Sequence, residues 1–363
     1  MKEMLLSLCA ACFTLGIAAQ TKEVKFSLLE TTDVHGNYLP YNFITGEDGT
    51  GSMARVYTYV KQLRQTEGKD HVVLLDNGDI LQGQPIAYYY NYIDTKSPHL
   101  CSAVLNYMQY DAGTVGNHDV ETGHAVYDRW VKQCKFPMLG ANVIVTKNEK
   151  PYWKPYTIIE RQGVKIAVLG MITPGIPMWL PENLWSGLRF DDMLQVAQRY
   201  MPEMRKKADI VVGLFHSGVG KDKGTPIAAE NASVAVAENV PGFDIVFCGH
   251  DHRRANRRIV NTAGDSVWVL NPAAQAHAIA KADFTITLNG KKVVSKKVEG
   301  SLVDIDHLTP DADFMKTFAT QFEQGKKFTN DLGQEPKHHG VCARLLWAVS
   351  IHRLHSSDAT SDW

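Results

Sequence analysis

The fold is indicated most clearly by the sequence Glu30-Thr31-Thr32-Asp33-Val34-His35-Gly36-Asn37, which follows directly on the apolar run Val24 to Leu29. A short apolar run of this kind predicts a strand, and Asp33 and His35 stand just past its end. The same arrangement occurs four more times along the chain. The later runs are Val72 to Leu75 before Asp76 and Asp79, Ala112 to Val115 before Asn117, His118 and Asp119, Ile210 to Phe215 before His216, and Ile245 to Cys248 before His250 and His252.

Helical patterns lie between these runs, over Ser52–Gln65, Pro98–Gln109, Gly123–Gln133, Asp191–Lys207 and Pro226–Glu238. Pro202 is expected to kink or break the fourth helix. Strands that alternate with helices predict an α/β sandwich, with most strands buried on both faces. Because ligands of open α/β sheets bind outside the carboxyl ends of the strands, we expect the polar residues after the five runs to meet in one site.

Asp and neutral His are favoured ligands of Zn, Mn and Fe. The candidate ligands are Asp33, His35, Asp79, Asn117, His216, His250 and His252. This set is too large for one tetrahedral ion and suits two ions with a bridging carboxylate, which together clamp the oxygens of an in-line displacement and activate a shared water. His118 is a candidate catalytic residue, and Asp119 could fix its tautomer. Taken singly, each motif also fits a structural role, such as a cap or a turn.

The order D-x-H, G-D, G-N-H-D, H and G-H-D-H resembles that of the calcineurin-like metallophosphoesterases. Within them the chain looks like the secreted 5′-nucleotidase / 2′,3′-cyclic-nucleotide 2′-phosphodiesterase family, from about Val24 to Asp331. The resemblance implies a four-layer α/β/β/α sandwich with a dinuclear metal site at the carboxyl ends of the strands. The matching stretches are Glu30 to Asn37, Asp76-Asn77-Gly78-Asp79-Ile80-Leu81-Gln82-Gly83, Gly116-Asn117-His118-Asp119 and Gly249-His250-Asp251-His252.

The resemblance also implies a role for each site residue. One metal would be held by Asp33, His35, Asp79 and His252, and the other by Asp79, Asn117, His216 and His250, so that Asp79 bridges. His118 would stabilise the transition state and help the leaving oxygen depart, with Asp119 orienting its ring. Zn, Mn, Fe and Co all suit this ligand set. No substrate-binding residue is assigned.

The implied activity is hydrolysis of nucleotide phosphate esters, in which metal-bound hydroxide attacks phosphorus in line. Asp119-Val120 stands where the 5′-nucleotidase branch shows Glu and an aromatic residue, whereas Glu30-Thr31-Thr32 is similar to the cyclic-phosphodiesterase/3′-nucleotidase branch. The substrate stays open between the two. Two alternatives also remain, a general phosphomonoesterase without nucleotide preference and a non-catalytic metal- or nucleotide-binding remnant.

The N-terminus predicts an exported protein. An apolar run from Met4 closes with the small residues Ala18 and Ala19, which is typical of a signal peptide spanning residues 1–19. The run is shorter than the ~20 residues that span a bilayer, and an uncleaved anchor is the alternative. We therefore expect a periplasmic or extracellular location.

Composition limits the partners. The 363 residues carry 38 Lys and Arg against 39 Asp and Glu, a net charge of −1. This balance favours neither a nucleic acid polymer nor a stable membrane partner, and a small-molecule nucleotide is the expected substrate. The spacing of the six Cys predicts neither a metal site nor a disulfide framework. The oligomeric state is not predicted.

The predicted catalytic domain covers residues 20–308, followed by an interdomain linker helix over 309–331. Thr309 is the expected N-cap with Pro310 in the first turn, and Phe314, Phe318 and Phe322 form an apolar stripe that predicts a packing seam. Family members carry a second, nucleotide-binding domain after this helix. Residues 332–363 resemble neither linker nor family sequence, and the hypothesis for this tail is a truncated or frame-shifted product.

Overall fold

The computed structural model describes residues 21–220 and 230–334. The predicted signal peptide, almost all of the predicted tail and the start of the predicted helix Pro226–Glu238 lie outside the described residues. The described part of that helix is Ser233–Asn239. Two six-stranded sheets dominate the described chain, and a three-stranded and a two-stranded sheet accompany them. In the part of the chain that the structure describes, no helix is long and apolar enough to cross a membrane.

The first large sheet has a parallel centre and an antiparallel edge. In spatial order its strands are Lys292–Asp304, Ala278–Asn289, Thr21–Thr31, Val72–Asp76, Ala112–Thr114 and Met138–Leu139. The second large sheet has a parallel centre and an antiparallel strand at each edge. Its strands are Ala255–Val260, Ser266–Asn271, Ile245–Cys248, Ile210–His216, Val164–Ile172 and Tyr156–Arg161. All five predicted strands are present.

The two smaller sheets lie in connections. The three-stranded sheet consists of Leu188–Phe190, Val143–Val145 and Lys150–Pro151, and the two-stranded one of Tyr41–Asn42 and Glu47–Asp48.

The central strands are buried on both faces, which explains their continuous apolar sequences. In the strand Val72–Asp76, Val73 and Leu75 enter a core shared with the second sheet, whereas Leu74 faces a core formed with helices. In the strand Ile210–His216, Val212 joins the shared core and Val211 packs against a separate set of helices. Helices on the outer face of each sheet and a core between the sheets make the four-layer sandwich that was predicted.

The helices of four or more residues are Met53–Glu67, Pro85–Tyr88, Leu100–Met108, Asn117–Val120, His124–Gln133, Ile176–Trp179, Met193–Lys207, Ser233–Asn239, Ala312–Thr317 and Ala319–Gln334, with a π-helical turn at Tyr89–Ile93. Two long helices begin at side-chain caps, where Ser52 accepts from the N–H of Arg55 and Asp192 from that of Gln195. Shorter 3₁₀ turns occur at Lys69–His71 and Glu182–Leu184.

Two of the predicted helices differ from the structure in their course. The helix that contains Pro202 is not broken there but runs from Met193 to Lys207, and the buried Met201 and Met204 on either side hold both halves against the sheet. The helix expected over residues 309–331 begins at Ala312 instead, and it is divided at Phe318 into Ala312–Thr317 and Ala319–Gln334.

The N-cap of this helix is Asp311, whose carboxylate accepts from the N–H of Phe314 and pairs with Lys61 at 2.9 Å. An anionic cap suits a helix N-terminus, which explains why the helix starts two residues later than expected. The phenylalanine stripe is a packing seam. Phe314 and Phe318 are buried in the core between the first large sheet and its helices, and the ring of Phe322 lies 5.3 Å from that of Tyr41.

Three of the cysteines lie in the described residues, Cys101, Cys134 and Cys248, and all three are free thiols.

Candidate metal centre

The carboxyl ends of both parallel centres meet at one edge of the sandwich. Thr31 pairs in register with Asp76 in the first sheet, and Phe215 with Cys248 in the second. The side chain of Asn77 crosses between the sheets, because its Nδ2 donates to the main-chain carbonyl of Phe215 at 3.0 Å. The loops that follow these strands therefore open into a common space, as the sequence predicted.

Two groups of ligand atoms converge there. The first contains Asp33, His35 and His252, and within it the two imidazole Nε2 atoms lie 3.0 Å apart. The Nε2 of His252 lies 3.3 Å from Oδ1 of Asp33. Two ring nitrogens that face each other at this distance have the arrangement expected of two ligands that share one cation.

The second group contains Asp79, His216 and His250. Nε2 of His216 lies 3.1 Å from Oδ2 of Asp79 and 3.1 Å from Oδ1 of Asn117, and Nδ1 of His250 lies 2.7 Å from the same Asn117 oxygen. The two groups adjoin, since the same His216 nitrogen is 4.0 Å from Oδ1 of Asp33. The structure thus brings together all seven predicted ligands.

Outer hydrogen bonds fix the tautomers of the histidines. Nδ1 of His35 donates to the carbonyl of Gln82 at 3.1 Å, and Nδ1 of His216 donates to that of Asn77 at 2.6 Å. Each contact leaves the Nε2 lone pair directed into the site, as a metal-binding imidazole requires. In His250 the pattern is reversed, because Nε2 faces Glu230 at 2.7 Å and leaves Nδ1 for the site. Sequence reasoning missed Glu230, since no spacing rule links it to His250.

The donor set fits divalent cations. Oδ2 of Asp79 is buried and has no hydrogen-bond partner of acceptable geometry, although the His216 nitrogen is close by. A buried carboxylate oxygen without a hydrogen bond is costly unless a cation approaches it. Carboxylate, amide and imidazole donors in this number suit Zn, Mn, Fe or Co, and the residues present therefore fit the metals that the resemblance implied.

Five of the seven candidate ligands lie in the left-handed backbone region, which non-glycine residues rarely adopt. Their φ angles are 49° for Asp33, 49° for His35, 53° for Asp79, 74° for His250 and 53° for His252. Such strain persists where the surrounding structure fixes it, and it concentrates at functional sites. The sharp turns aim successive side chains into the same space at the ends of the strands.

The electrostatics of the site favour added positive charge. Burial opposes ionisation of Asp79, but the rings of His216 and His118 outweigh it and hold its pKa well below the usual range. Burial likewise opposes a charged His216, yet the negative charge of Asp79 raises the pKa of this ring to about 10. Buried anions that recruit protons onto nearby imidazoles would bind a divalent cation instead.

The predicted pairing of His118 with Asp119 is wrong. Both carboxylate oxygens of Asp119 accept main-chain hydrogen bonds, from the N–H groups of Asp79, Ile80 and Leu81 at 2.9 Å and of Gly116 at 2.8 Å. Asp119 therefore ties the loop that carries Asp79 to the loop that carries Asn117. A carboxylate surrounded by four N–H donors has no oxygen free for the neighbouring ring.

The partner of His118 is Glu121. Nδ1 of the ring lies 2.7 Å from Oε2 of this glutamate, one helical turn further along. Burial lowers the pKa of His118, but the charges of Asp79 and Glu121 and this hydrogen bond outweigh it and raise the pKa to about 9. The i, i+3 spacing of the two residues was a sequence signal that could have identified the pair.

The other histidine near this edge, His277, pairs with Asp306 at 2.9 Å in an exposed position. It belongs to neither group of ligands.

Two sheets packed face to face, with imidazole and carboxylate ligands along their shared edge, define the metallophosphoesterase architecture. A family model described as calcineurin-like phosphoesterase matches residues 26–254, which is more than half of the chain. The chain belongs to this family, and the predicted family and fold class are confirmed.

Curated relatives carry nucleotide-related names. The 2′,3′-cyclic-nucleotide 2′-phosphodiesterase/3′-nucleotidase of Haemophilus influenzae is 36% identical over 252 residues, covering 65% of this chain and 37% of that protein. The trifunctional nucleotide phosphoesterase protein YfkN of Bacillus subtilis is 32% identical over 247 residues, covering 63% of this chain and 17% of that protein. The chain thus spans well under half the length of these two relatives.

A solved structure supports the fold. The crystal structure of calcineurin-like phosphoesterase YfkN from Bacillus subtilis superposes with a TM-score of 0.76 at 25% identity, covering 85% of this chain and 100% of that one.

Proposed function

We propose that this protein is an exported phosphoesterase that hydrolyses phosphate esters of nucleotides at a centre of two divalent ions. The observation that carries the proposal is the convergence of two ligand groups on one edge of the sandwich, with the paired His118 beside them. Asp33, His35, Asp79 and His252 would hold one ion, and Asp79, Asn117, His216 and His250 the other. Export rests on the signal-like sequence of residues 1–19.

When bound, a pair of divalent ions supplies an activated water and neutralises the charge of the phosphoryl group. The proton that the leaving group needs must come from a residue of the chain itself. Hydrolysis joins a water oxygen to phosphorus and breaks the ester P–O bond, so the departing oxygen needs a proton. Glu121 holds Nδ1 of His118 and leaves Nε2 to donate that proton, as expected of a positioned general acid.

The nucleotide part of the proposal is supported by the names of the relatives. Three relatives named 2′,3′-cyclic-nucleotide 2′-phosphodiesterase/3′-nucleotidase, from Haemophilus influenzae, Yersinia enterocolitica and Salmonella typhimurium, are 36%, 32% and 33% identical. The 5′-nucleotidase of Vibrio cholerae is 29% identical. We therefore propose cyclic and 3′-nucleotides as the first substrates to test.

A substrate panel tests the proposal. The purified chain, supplied with Mn²⁺ or Zn²⁺, is assayed on 2′,3′-cyclic AMP, 3′-AMP, AMP and a simple chromogenic phosphate ester. Turnover of at least one nucleotide, abolished by Asp79→Ala and retained by Asp128→Asn, is the expected result. Asp128 is a suitable control because its carboxylate pairs with His124, outside the ligand groups. Turnover of the simple ester alone would contradict the nucleotide assignment, and metal binding without turnover of any ester would contradict catalysis.

A further inference from the structure

A partly exposed tryptophan stands at the rim of the candidate metal centre. Trp179 ends the helix Ile176–Trp179, and 40% of its surface is exposed. The preceding strand runs parallel to Ile210–His216, and the N–H of Thr173 donates to the carbonyl of His216 at 2.8 Å. The helix therefore leaves the second sheet at the edge where the ligand groups lie.

The indole of Trp179 stacks on a candidate ligand. Its ring centroid lies 5.6 Å from that of His250, and the two planes meet at 27°. The imidazole of His250 belongs to the second ligand group. An aromatic surface is thus placed next to the position where the phosphoryl group would bind.

The tryptophan ring is held in place by the turn below it. A Cβ atom at Gly175 would lie only 2.4 Å from Cη2 of Trp179, so the ring covers the glycine backbone closely. With Gly175 and His250 both in contact, the indole has little freedom to rotate, and an immobile ring loses little entropy when a ligand stacks on it.

We propose that Trp179 is a specificity residue, on which the nucleobase of the substrate stacks while the phosphoryl group occupies the metal centre. The inference rests on the proposed function and adds a substrate contact made by the metallophosphoesterase fold itself. Every nucleobase presents a π face, so this contact selects nucleotides over phosphate esters without an aromatic group and discriminates weakly between bases.

The test compares two substrates that differ by the base alone. Whichever adenine nucleotide the wild type hydrolyses is paired with the same phosphate ester of ribose, for example AMP with ribose 5-phosphate. The variants are Trp179→Ala, Trp179→Phe and Gly175→Ala, whose added methyl group displaces the indole without altering a ligand. Ile93→Ala is the control, because Ile93 is exposed to 51% and lines a separate cavity beside the helix Ala319–Gln334.

Stacking on an aromatic side chain contributes about 1–3 kcal/mol per base. At about 1.4 kcal/mol per tenfold change, Trp179→Ala should lower the ratio of the two kcat/KM values, nucleotide over ribose ester, about 5-fold to 140-fold. The loss should fall mainly on KM, Trp179→Phe should retain most of the ratio, and Gly175→Ala should reduce it. Saturation-transfer NMR with adenosine should show magnetisation transfer to the base protons in the wild type and none in Trp179→Ala.

An unchanged ratio in Trp179→Ala, at wild-type metal content, would overturn the inference while leaving the proposed function intact. An equal loss on both substrates would also overturn it, because it would show that Trp179 acts through His250 alone. Failure of the wild type to hydrolyse any nucleotide would instead refute the proposed function, and the two failures are therefore distinguishable.

Discussion

Nδ1 of His118 lies 2.7 Å from Oε2 of Glu121, while the carboxylate of the adjacent Asp119 faces away into four main-chain N–H groups. The two acidic residues Asp119 and Glu121 thus have different roles. Glu121 orients the ring that is proposed to donate a proton, and Asp119 holds together the loops that carry the ligands.

We expect Glu121→Ala to lower kcat about 10-fold to 100-fold, the usual cost of removing the hydrogen-bond partner of a functional histidine. His118→Asn should cost more, about 10²-fold to 10⁴-fold, because the acid itself is lost. Steady-state kinetics on the best nucleotide of the panel measures both. Asp128→Asn removes the partner of the surface residue His124 and serves as the matched control. A full rate in Glu121→Ala would show that this pairing has no catalytic role.

Asp119→Asn should destabilise the protein even though no ligand is changed. An amide at this position presents an NH₂ group to N–H donors, so buried donors lose their acceptor at a cost of about 1–3 kcal/mol for each group left unsatisfied. Chemical denaturation of the wild type and the variant measures the difference in free energy of unfolding. An equally stable Asp119→Asn protein with normal metal affinity would contradict the tie between the two loops.

Gly116→Ala should weaken metal binding through a steric effect alone. The added Cβ would lie 2.1 Å from Oδ1 of Asp79, and this carboxylate must move to make room. Isothermal titration with Mn²⁺ should show lower affinity than for Gly49→Ala, where the new atom makes ordinary contacts at 3.4 Å or more. Equal affinities would mean that Asp79 does not hold metal in the position described.

The buried His99, which lies away from the metal centre, should make the stability of the protein sensitive to acid. Its Nε2 lies 2.9 Å from Oδ1 of Asn91, its Nδ1 is buried without a partner, and burial together with Arg129 lowers its pKa to about 3. Since the unfolded value is near 6.5, the neutral ring stabilises the fold fully above about pH 6.5, and this contribution is lost as the pH falls toward 3.

His99→Gln keeps a donor for Asn91 but cannot become charged. The stability of the wild type relative to this variant should therefore fall by about 1.4 kcal/mol per pH unit below pH 6.5. Urea denaturation at a series of pH values provides the comparison. A difference that stays constant between pH 7 and pH 4 would contradict a neutral, buried His99.

Much of the fold was predictable because burial leaves a pattern in the sequence. The continuous apolar runs marked five strands of the two large sheets, and the polar residue after each run marked the edge where the site forms. The start of the helix at Ala312 was missed because two good caps, Thr309 and Asp311, lie close together, and tertiary contact with Lys61 favours the second.

The ligands were predictable as a set, whereas their surroundings were not. Motif order identifies which residues can bind metal, but it does not show that Asp33 and His252 adopt left-handed backbone angles. Nor does it reveal that Glu230 lies against His250, since that contact depends on how two distant loops fold. The prediction for Asp119 fails for a related reason, because adjacency in sequence does not imply contact between side chains.

In the proposed metal centre, the carboxylate of Asp79 is shared by two divalent ions. Crystals of the Mn²⁺-loaded protein, with anomalous scattering collected at the manganese edge, test it directly. We expect two anomalous peaks about 3.5–4 Å apart, with the carboxylate of Asp79 between them. A single peak, or two peaks of which only one contacts Asp79, would contradict it.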